Sequence, residues 1–152
     1  MLERCYSPSH QEKYTTYIGC TVCKEWLLFS KYRRWKENQK WIGKHHDKDI
    51  VKVGNQVYCP ALCCLPTPEE NTVLNDSGAI RGRYPQGVCF HKPSGKFMAQ
   101  CSVNGKTKYL GLFKTVHSAD AYYTNFKRDL IIQVAMAATD PKIKNGLLRH
   151  AD

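Results

Sequence analysis

The sequence has no long apolar run and no apolar segment near its start. No stretch of about 18 consecutive apolar residues occurs, so we expect no transmembrane helix. The opening residues, MLERCYSPSHQEKY, lack the hydrophobic core that a secretory signal peptide needs. We therefore expect the protein to stay in the cytoplasm of the cell that makes it.

Acidic residues are also few in this chain. The 13 Asp and Glu stand against 23 Lys and Arg, which gives a formal net charge of +10. Such an excess favours an anionic partner, nucleic acid above all, although a basic charge can also serve solubility alone. Hydrophobic residues make up 42% of the chain, which is enough to bury a core and excludes a disordered protein by composition.

The eight cysteines are many for a reducing compartment, in which thiols and metal ligands are commoner than disulfides. Cys20 and Cys23 have the C-x-x-C spacing of a zinc knuckle, and Cys59, Cys63 and Cys64 could complete a tetrahedral Zn²⁺ site. The second half of this pattern is irregular, so buried thiols explain the same cysteines equally well.

The clearest pattern lies between residues 86 and 137, where the apolar period changes from two residues to that of a helix. Alternation over 88–91 and 97–103 predicts two half-buried strands. Asn104 and Gly105 predict a tight hairpin into a third strand, because both residues tolerate positive φ.

The third strand is expected to end at Gly111, and a helix follows. Thr115 is the expected N-cap, and apolar residues then recur at helical spacing as far as Ala137. One helix can cover only one face of the sheet, so the other face is left bare. Its side chains should be Cys89, His91, Met98, Gln100, Ser102, Thr107 and Tyr109, with Lys92, Lys96, Lys106 and Lys108 on the turns and edges.

Hydrogen-bonding groups ringed by cations suit a strand ribbon in the major groove of DNA. An ordered set of residues adds to this pattern: Gly87-Val88, Gly95-Lys96-Phe97, Ala99, Asn104-Gly105-Lys106, Leu110-Gly111, Phe113-Lys114-Thr115, Ala119 and Tyr122-Tyr123. In these residues the chain resembles the AP2 DNA-binding domain in its phage and bacterial form. The resemblance implies that bases and phosphates are touched by Cys89, His91, Gln100, Ser102, Thr107 and Tyr109. The alternative is that this sheet packs on the N-terminal half or on another protein.

The N-terminal half begins with a basic helix, predicted to be capped near Ser30. Leu28, Tyr32 and Trp35 would share its apolar face. Its cations are Lys31, Arg33, Arg34, Lys36 and Lys40. They form either a solvated face or a sequence-independent contact with the phosphate backbone.

A hairpin and a helix are predicted next. Two short extended pieces flank Gly54-Asn55, and Thr67-Pro68-Glu69-Glu70 is a capping box that begins a helix running to about Ser77. This order of elements resembles the ββα-metal layout of HNH nucleases, which implies that a histidine deprotonates water and nearby side chains hold one divalent cation on the scissile phosphate. The candidates are His45 and His46 as base, with Asp47, Asp49, Asn71 and Asn75 as ligands of Mg²⁺ or Mn²⁺.

The N-terminal half also carries Cys23-x-x-Trp26, Asp47-Lys48-Asp49, Asn55, Tyr58-x-Pro60, Cys63, Pro66 and Asn71 in order. In these residues it is similar to phage HNH-type proteins with a C-terminal AP2 domain. The resemblance implies a phage-encoded DNA-binding protein, in a group that includes both nucleases and degenerate members.

The sequence thus predicts an α+β protein with an HNH-like ββα module over residues 1–80 and a basic linker over 81–85. An AP2-like domain over 86–138 and a polar tail over 139–152 would follow. Three functions stay open at this point. They are a metal-dependent DNA-nicking or homing-type endonuclease, a non-catalytic regulator that binds double-stranded DNA, and a protein-binding inhibitor of a host factor.

Overall fold

The computed structural model describes residues 1–75 and 82–152, which form a mixed α+β structure. In chain order the elements are α1 (Leu2–Tyr6), α2 (Pro8–Lys13), β1 (Thr21–Val22), α3 (Phe29–Glu37), β2 (Val57–Tyr58), α4 (Pro68–Thr72), β3 (Val88–His91), β4 (Lys96–Val103), β5 (Lys106–Phe113), α5 (Val116–Ala137) and α6 (Pro141–Ala151). No helix among the described residues is long and apolar enough to cross a bilayer.

The C-terminal sheet has the predicted order and direction. Strands β3, β4 and β5 lie side by side and antiparallel. Asn104 and Gly105 form the two-residue turn between β4 and β5, with φ angles of 51° and 73°. The N-cap of α5 is also confirmed, since the Oγ1 atom of Thr115 accepts a hydrogen bond of 3.1 Å from the Ser118 N–H.

Strand β5 is longer than predicted and contains a bulge. It continues past Gly111 to Phe113, and its register against β4 shifts between Ala99 and Gln100. Gly111 has a φ of 146°, a conformation that L side chains rarely adopt. The bulge therefore depends on glycine at this position and lets the strand go on rather than end.

Helix α5 packs on one face of this sheet. Ala99 and Cys101 of β4 are buried against Ala119 and Tyr123 of α5, together with Val88 of β3. Gly87 lies directly against the Tyr123 ring, and a Cβ at residue 87 would overlap that ring. The chain can therefore enter β3 beneath the helix only because residue 87 has no side chain.

A second core joins the far end of α5 to α6 and to the N-terminal half. Ile143 and Leu147 of α6 are fully buried beside Val134 of α5 and Ile50. The polar tail predicted over 139–152 is therefore wrong, because these residues form an amphipathic helix capped by the Asp140 side chain. Burying a side chain such as Leu147 contributes about 2 kcal/mol to stability, so α6 is an integral part of the fold.

The third core lies in the N-terminal half, where Trp26 and Tyr58 are fully buried. The predicted hairpin around Gly54-Asn55 is absent there. Strand β2 instead pairs in parallel with β1, and Asp47 forms an isolated antiparallel bridge with Cys64. The physical reason is that a buried side chain organises the loop, since the Asn55 amide donates to the backbone oxygens of Lys48 and Val57.

Two helix boundaries in this half differ from the prediction. Helix α3 begins at Phe29 without a side-chain cap, so the cap expected near Ser30 is wrong. The capping box of α4 is confirmed, because Thr67 and Glu70 exchange both of its hydrogen bonds. The helix ends at Thr72, earlier than expected, and residues 76–81, where its predicted end falls, lie outside the described residues.

Replacing Gly146 with alanine should destabilise the protein, although alanine normally favours a helix over glycine by about 1 kcal/mol. A Cβ at residue 146 would lie 2.5 Å from the Ile50 backbone oxygen, so α6 would have to move away from the second core. We expect the free energy of unfolding to fall by about 1–3 kcal/mol, as measured by urea denaturation.

Asn145→Ala is the matched control, because Asn145 is the exposed neighbour in the same helix. This variant should be as stable as the wild type or slightly more stable. A Gly146→Ala protein with unchanged stability would show that the contact with Ile50 does not limit the packing of α6.

Candidate nucleic-acid interface

The face of the sheet that points away from α5 is the candidate interface, and we call it the outer face. Residues on this face follow from the pairing register, because side chains alternate along each strand and opposite residues share a face. They are Cys89, His91, Lys96, Met98, Gln100, Ser102, Thr107, Tyr109 and Leu112. The alternation predicted from the sequence is confirmed by burial on β4, whereas on β3 Phe90, which was predicted to face inward, is 43% exposed.

No apolar core of the described residues includes a side chain of the outer face. Tyr109 is 59% exposed and Leu112 is 37% exposed. Ser102 and Thr107 are exposed, and Gln100 is half-buried. The outer face therefore presents hydroxyl, phenol and amide groups to solvent.

The bulge sets the direction of the side chains at the middle of β5. Leu110 packs with the helix-side core, and Gly111 pairs with Ala99, whose side chain is buried on that same side. Two consecutive residues thus lie on the helix side. As a result Tyr109, opposite Gln100, keeps its place on the outer face.

His91 and two lysines lie at the end of the sheet near the β3–β4 turn. The His91 Nδ1 atom is 2.8 Å from the Ser94 hydroxyl, which orients the ring. Lys92 begins the turn and Lys96 starts β4, where it pairs with His91 on the outer face. This end of the face therefore carries positive charge.

Lys106 and Lys108 do not belong to the outer face. Their partners across the ladder are Val103 and Cys101, so both register positions lie on the helix side. The Lys108 ammonium lies 4.8 Å from the centre of the Phe126 ring, within cation–π distance. Lys108 therefore lies on the side of the sheet away from the outer face, and its contact with DNA stays a prediction.

Arg33 and Arg34 lie on the exposed side of α3, as the amphipathic pattern predicted. The opposite side of α3 packs against Trp26 through Tyr32 and Trp35. Arg33 forms an ion pair with Glu37 one turn later, with a nitrogen–oxygen distance of 2.6 Å. At this exposed position the pair contributes little to stability.

The two histidines of the predicted nuclease centre lie in different surroundings. His45 is exposed. His46 lies among four aromatic rings, with centroid distances between 5.4 and 5.7 Å to Trp26, Tyr32, Trp35 and Tyr58. Burial lowers the pKa of His46 from 6.5 to about 4, so its ring is neutral at physiological pH.

The two carboxylates that were predicted to bind a metal already have partners. The Asp47 Oδ1 atom accepts the backbone N–H groups of Asp49 and Ile50, each at 2.7 Å. The Asp49 carboxylate is paired with the ammonium of the buried Lys48. Burial is the largest influence on Asp47 and raises the pKa of its carboxyl group. Both acids thus stabilise the loop between residues 47 and 55.

The asparagines predicted to complete that centre are not one turn apart on a helix. Asn71 belongs to α4, but Asn75 lies beyond its end, where its backbone oxygen accepts a 3.0 Å hydrogen bond from Gln86. Among residues 1–75 and 82–152, no three His, Cys, Asp or Glu side chains are grouped so that they could hold a metal ion.

The cysteines of the predicted zinc site are divided between two environments. Cys20 and Cys63 are buried in the third core, and Cys23 and Cys59 are half-buried. Burial raises the pKa of the Cys63 thiol to about 12, which keeps it protonated. The zinc site stays a prediction, and among the described residues these thiols are not grouped so that they could hold a metal ion.

Sequence reasoning missed the loop network and the aromatic enclosure of His46. The buried Lys48 ammonium donates a 2.8 Å hydrogen bond to the Asn55 backbone oxygen, and the Asn55 side-chain amide donates one to the Lys48 backbone oxygen. No spacing rule predicts this exchange. The ring contacts of His46 join residues 11 to 20 positions apart, from Trp35 to Trp26, so only the tertiary structure reveals them.

The lowered pKa of His46 makes stability depend on pH. The unfolded chain binds a proton at this ring near pH 6.5, but the folded chain does so only near pH 4. Between these values the free energy of unfolding should fall as the pH falls, by at most about 3 kcal/mol from this group. His46→Phe keeps a ring in place and should flatten this part of the profile in urea titrations.

His45→Gln serves as the control, since His45 is exposed. Its pH profile should follow that of the wild type. Equal slopes for the wild type and His46→Phe between pH 6.5 and pH 4 would contradict the assigned burial of His46.

Comparisons of this chain with protein-family models, with curated proteins and with solved structures found no match. The functional argument therefore starts from the geometry and charge of the outer face.

Proposed function

We propose that this protein binds double-stranded DNA through the outer face of its three-stranded sheet. The observation that carries the proposal is a strand surface that α5 leaves open, in a chain with a net charge of +10. Polar groups suited to base edges and phosphates lie on that surface. The likeness to the AP2 DNA-binding domain supports the same conclusion.

The shape of the sheet suits the major groove. Strand β3 pairs only with residues 96–99 of β4, so the hairpin beyond that point is a ribbon of two strands. A two-stranded ribbon fits the major groove, which is about 12 Å wide. Gln100, Ser102, Thr107 and Tyr109 lie on the outer face of this ribbon.

These side chains have distinct tasks in the proposed complex. The Gln100 amide can both accept from and donate to an adenine edge, and hydroxyl groups such as those of Ser102 and Thr107 contact bases or phosphates. Lys96, with Lys92 at the same end of the sheet, would contact phosphates. The outer face holds no arginine, which is the commonest reader of guanine, so we expect binding to depend strongly on salt.

A non-catalytic binder is the form of this proposal that the N-terminal half supports. His46 is enclosed by rings, and Asp47 and Asp49 are engaged in the loop. A general base must reach the proton it removes. Of the two histidines predicted for this role, only the exposed His45 meets this condition.

Lys96→Ala and Lys108→Ala form a matched pair, because they remove the same charge from opposite faces of one hairpin. Lys96→Ala should weaken binding several-fold and lower the slope of log affinity against log salt by about 1. Lys108→Ala should change both quantities less. Fluorescence anisotropy with a short labelled duplex at several salt concentrations measures them.

Equal losses in the two variants would contradict the assignment of the outer face. A wild-type protein without affinity for duplex DNA at physiological salt would reject the DNA proposal altogether. An acidic protein surface would then be the better partner for the basic chain.

Supercoiled plasmid tests whether the protein also cuts DNA. With Mg²⁺, Mn²⁺ or EDTA present, we expect the plasmid to be retarded in a gel but to stay intact. Nicking that requires the metal and disappears in His45→Ala would establish a nuclease instead. His45 is the residue to change because its ring is exposed, whereas truncating His46 would open the aromatic core.

A further inference from the structure

A cavity of about 630 Å³ lies beside β4, between this strand, α5 and the end of α4. Val73, Leu130 and Val134 form its apolar wall. The Gln86-Gly87 turn closes one end, and the Asn104-Gly105 turn borders the other. Its volume is in the range of cavities that hold small organic ligands.

Along this cavity, the edge of β4 at Ser102 is not paired with β3. The Gln100 N–H donates a 2.8 Å hydrogen bond to Gly87, so the backbone groups of Gln100 face β3 rather than β5. In an antiparallel strand the residue two positions further, Ser102, faces the same way. Strand β3 begins at Val88 opposite Ala99, so within the described ranges no strand pairs with Ser102 on this side. The Ser102 N–H is therefore a donor beside the cavity.

Lys127 of α5 is the positively charged residue in the cavity lining. Its side chain is half-buried, and burial lowers the pKa of the ammonium group. The three ion pairs found among residues 1–75 and 82–152 do not involve it. Removing an ammonium group partly from water is costly without a counter-charge, which an anionic ligand would supply.

Glu69 is the other charged residue of the cavity, and its place sets the direction of a ligand. Glu69, Leu130 and Val134 also line an adjoining depression, which Lys127 does not reach. Lys127 and Val134 are seven residues apart on α5, or about 10 Å. Glu69 therefore lies on the side of the cavity that adjoins this depression, and Lys127 lies outside the depression.

We propose that this cavity binds a small organic oxyanion, a carboxylate or a phosphate ester, with its charged group against Lys127 and the Ser102 N–H. The apolar body of the ligand lies on Val73, Leu130 and Val134. Glu69 repels the anion from the side that adjoins the depression and so favours this orientation. The cavity lies next to the proposed DNA surface. Three residues belong both to the cavity lining and to the outer face: Gln100, Ser102 and Thr107.

The test uses benzoate, phenyl phosphate and benzamide, which share one ring and differ in charge. Each is titrated into the wild-type protein at constant ionic strength, and backbone amide shifts are followed by NMR. We expect saturable shifts at Gly87, Ser102 and Gly105 with at least one of the two anions, and none with neutral benzamide. The tighter of the two anions identifies the ligand class as carboxylate or phosphate ester.

Lys127→Gln and Arg128→Gln are the matched variants, because both remove one charge from neighbouring positions of α5. Arg128 is exposed and is not part of the cavity wall. Lys127→Gln should bind the preferred anion roughly tenfold more weakly, as expected for the loss of one charged hydrogen bond, while Arg128→Gln should bind it as the wild type does.

Three outcomes would overturn the proposal. One is the absence of saturable shifts with either anion, and another is equal binding of benzamide, neither of which needs a variant. The third is unchanged affinity in a Lys127→Gln protein whose unfolding midpoint matches that of the wild type.

Discussion

The packing of one helix into two cores is the interaction on which the rest of this structure depends. The first part of α5 covers the sheet through Ala119 and Tyr123, and its last turns bury Val134 and Ala135 against α6 and Ile50. Because a single helix covers one face of the sheet, the outer face stays open. Because the same helix continues into the second core, it connects the sheet to residues of the N-terminal half. The cavity beside β4 lies along the part of α5 between the two cores.

The N-terminal half depends on a different kind of interaction. Its two strands have only two residues each, so few backbone ladders hold it together. Buried polar groups stabilise this half instead. Lys48 and Asn55 form hydrogen bonds with each other, and the Asp47 carboxylate accepts hydrogen bonds from two backbone N–H groups. A satisfied polar network of this kind specifies one loop conformation. The same hydrogen bonds fix the orientation of the Asp47 carboxylate within the loop.

The outer face can be predicted from the sequence, whereas the cavity cannot. Alternation along β3 and β4 predicts the outer face residue by residue, because neighbouring side chains of a strand must point in opposite directions. On β5 the bulge at Gly111 changes which residues share a face, and no alternation pattern predicts this bulge. The cavity combines α4, α5 and β4, which lie far apart in the chain, and Lys127 looks there like any other helix-surface lysine.

The sequence by itself determined the features that depend on neighbours in the chain. These are the period of the strands, the Asn104-Gly105 turn, and the caps at Thr67 and Thr115, since each is set by φ preferences or by hydrogen bonds within a few residues. Asp140-Pro141 and the spacing of Ile143 and Leu147 also marked α6 locally, although the short polar segment was interpreted as a tail. Only the tertiary structure decided that Lys108 lies over Phe126, that four rings enclose His46, and that Asn55 replaces a hairpin with a loop. These features arise from contacts between distant residues, whose free energies no local pattern contains.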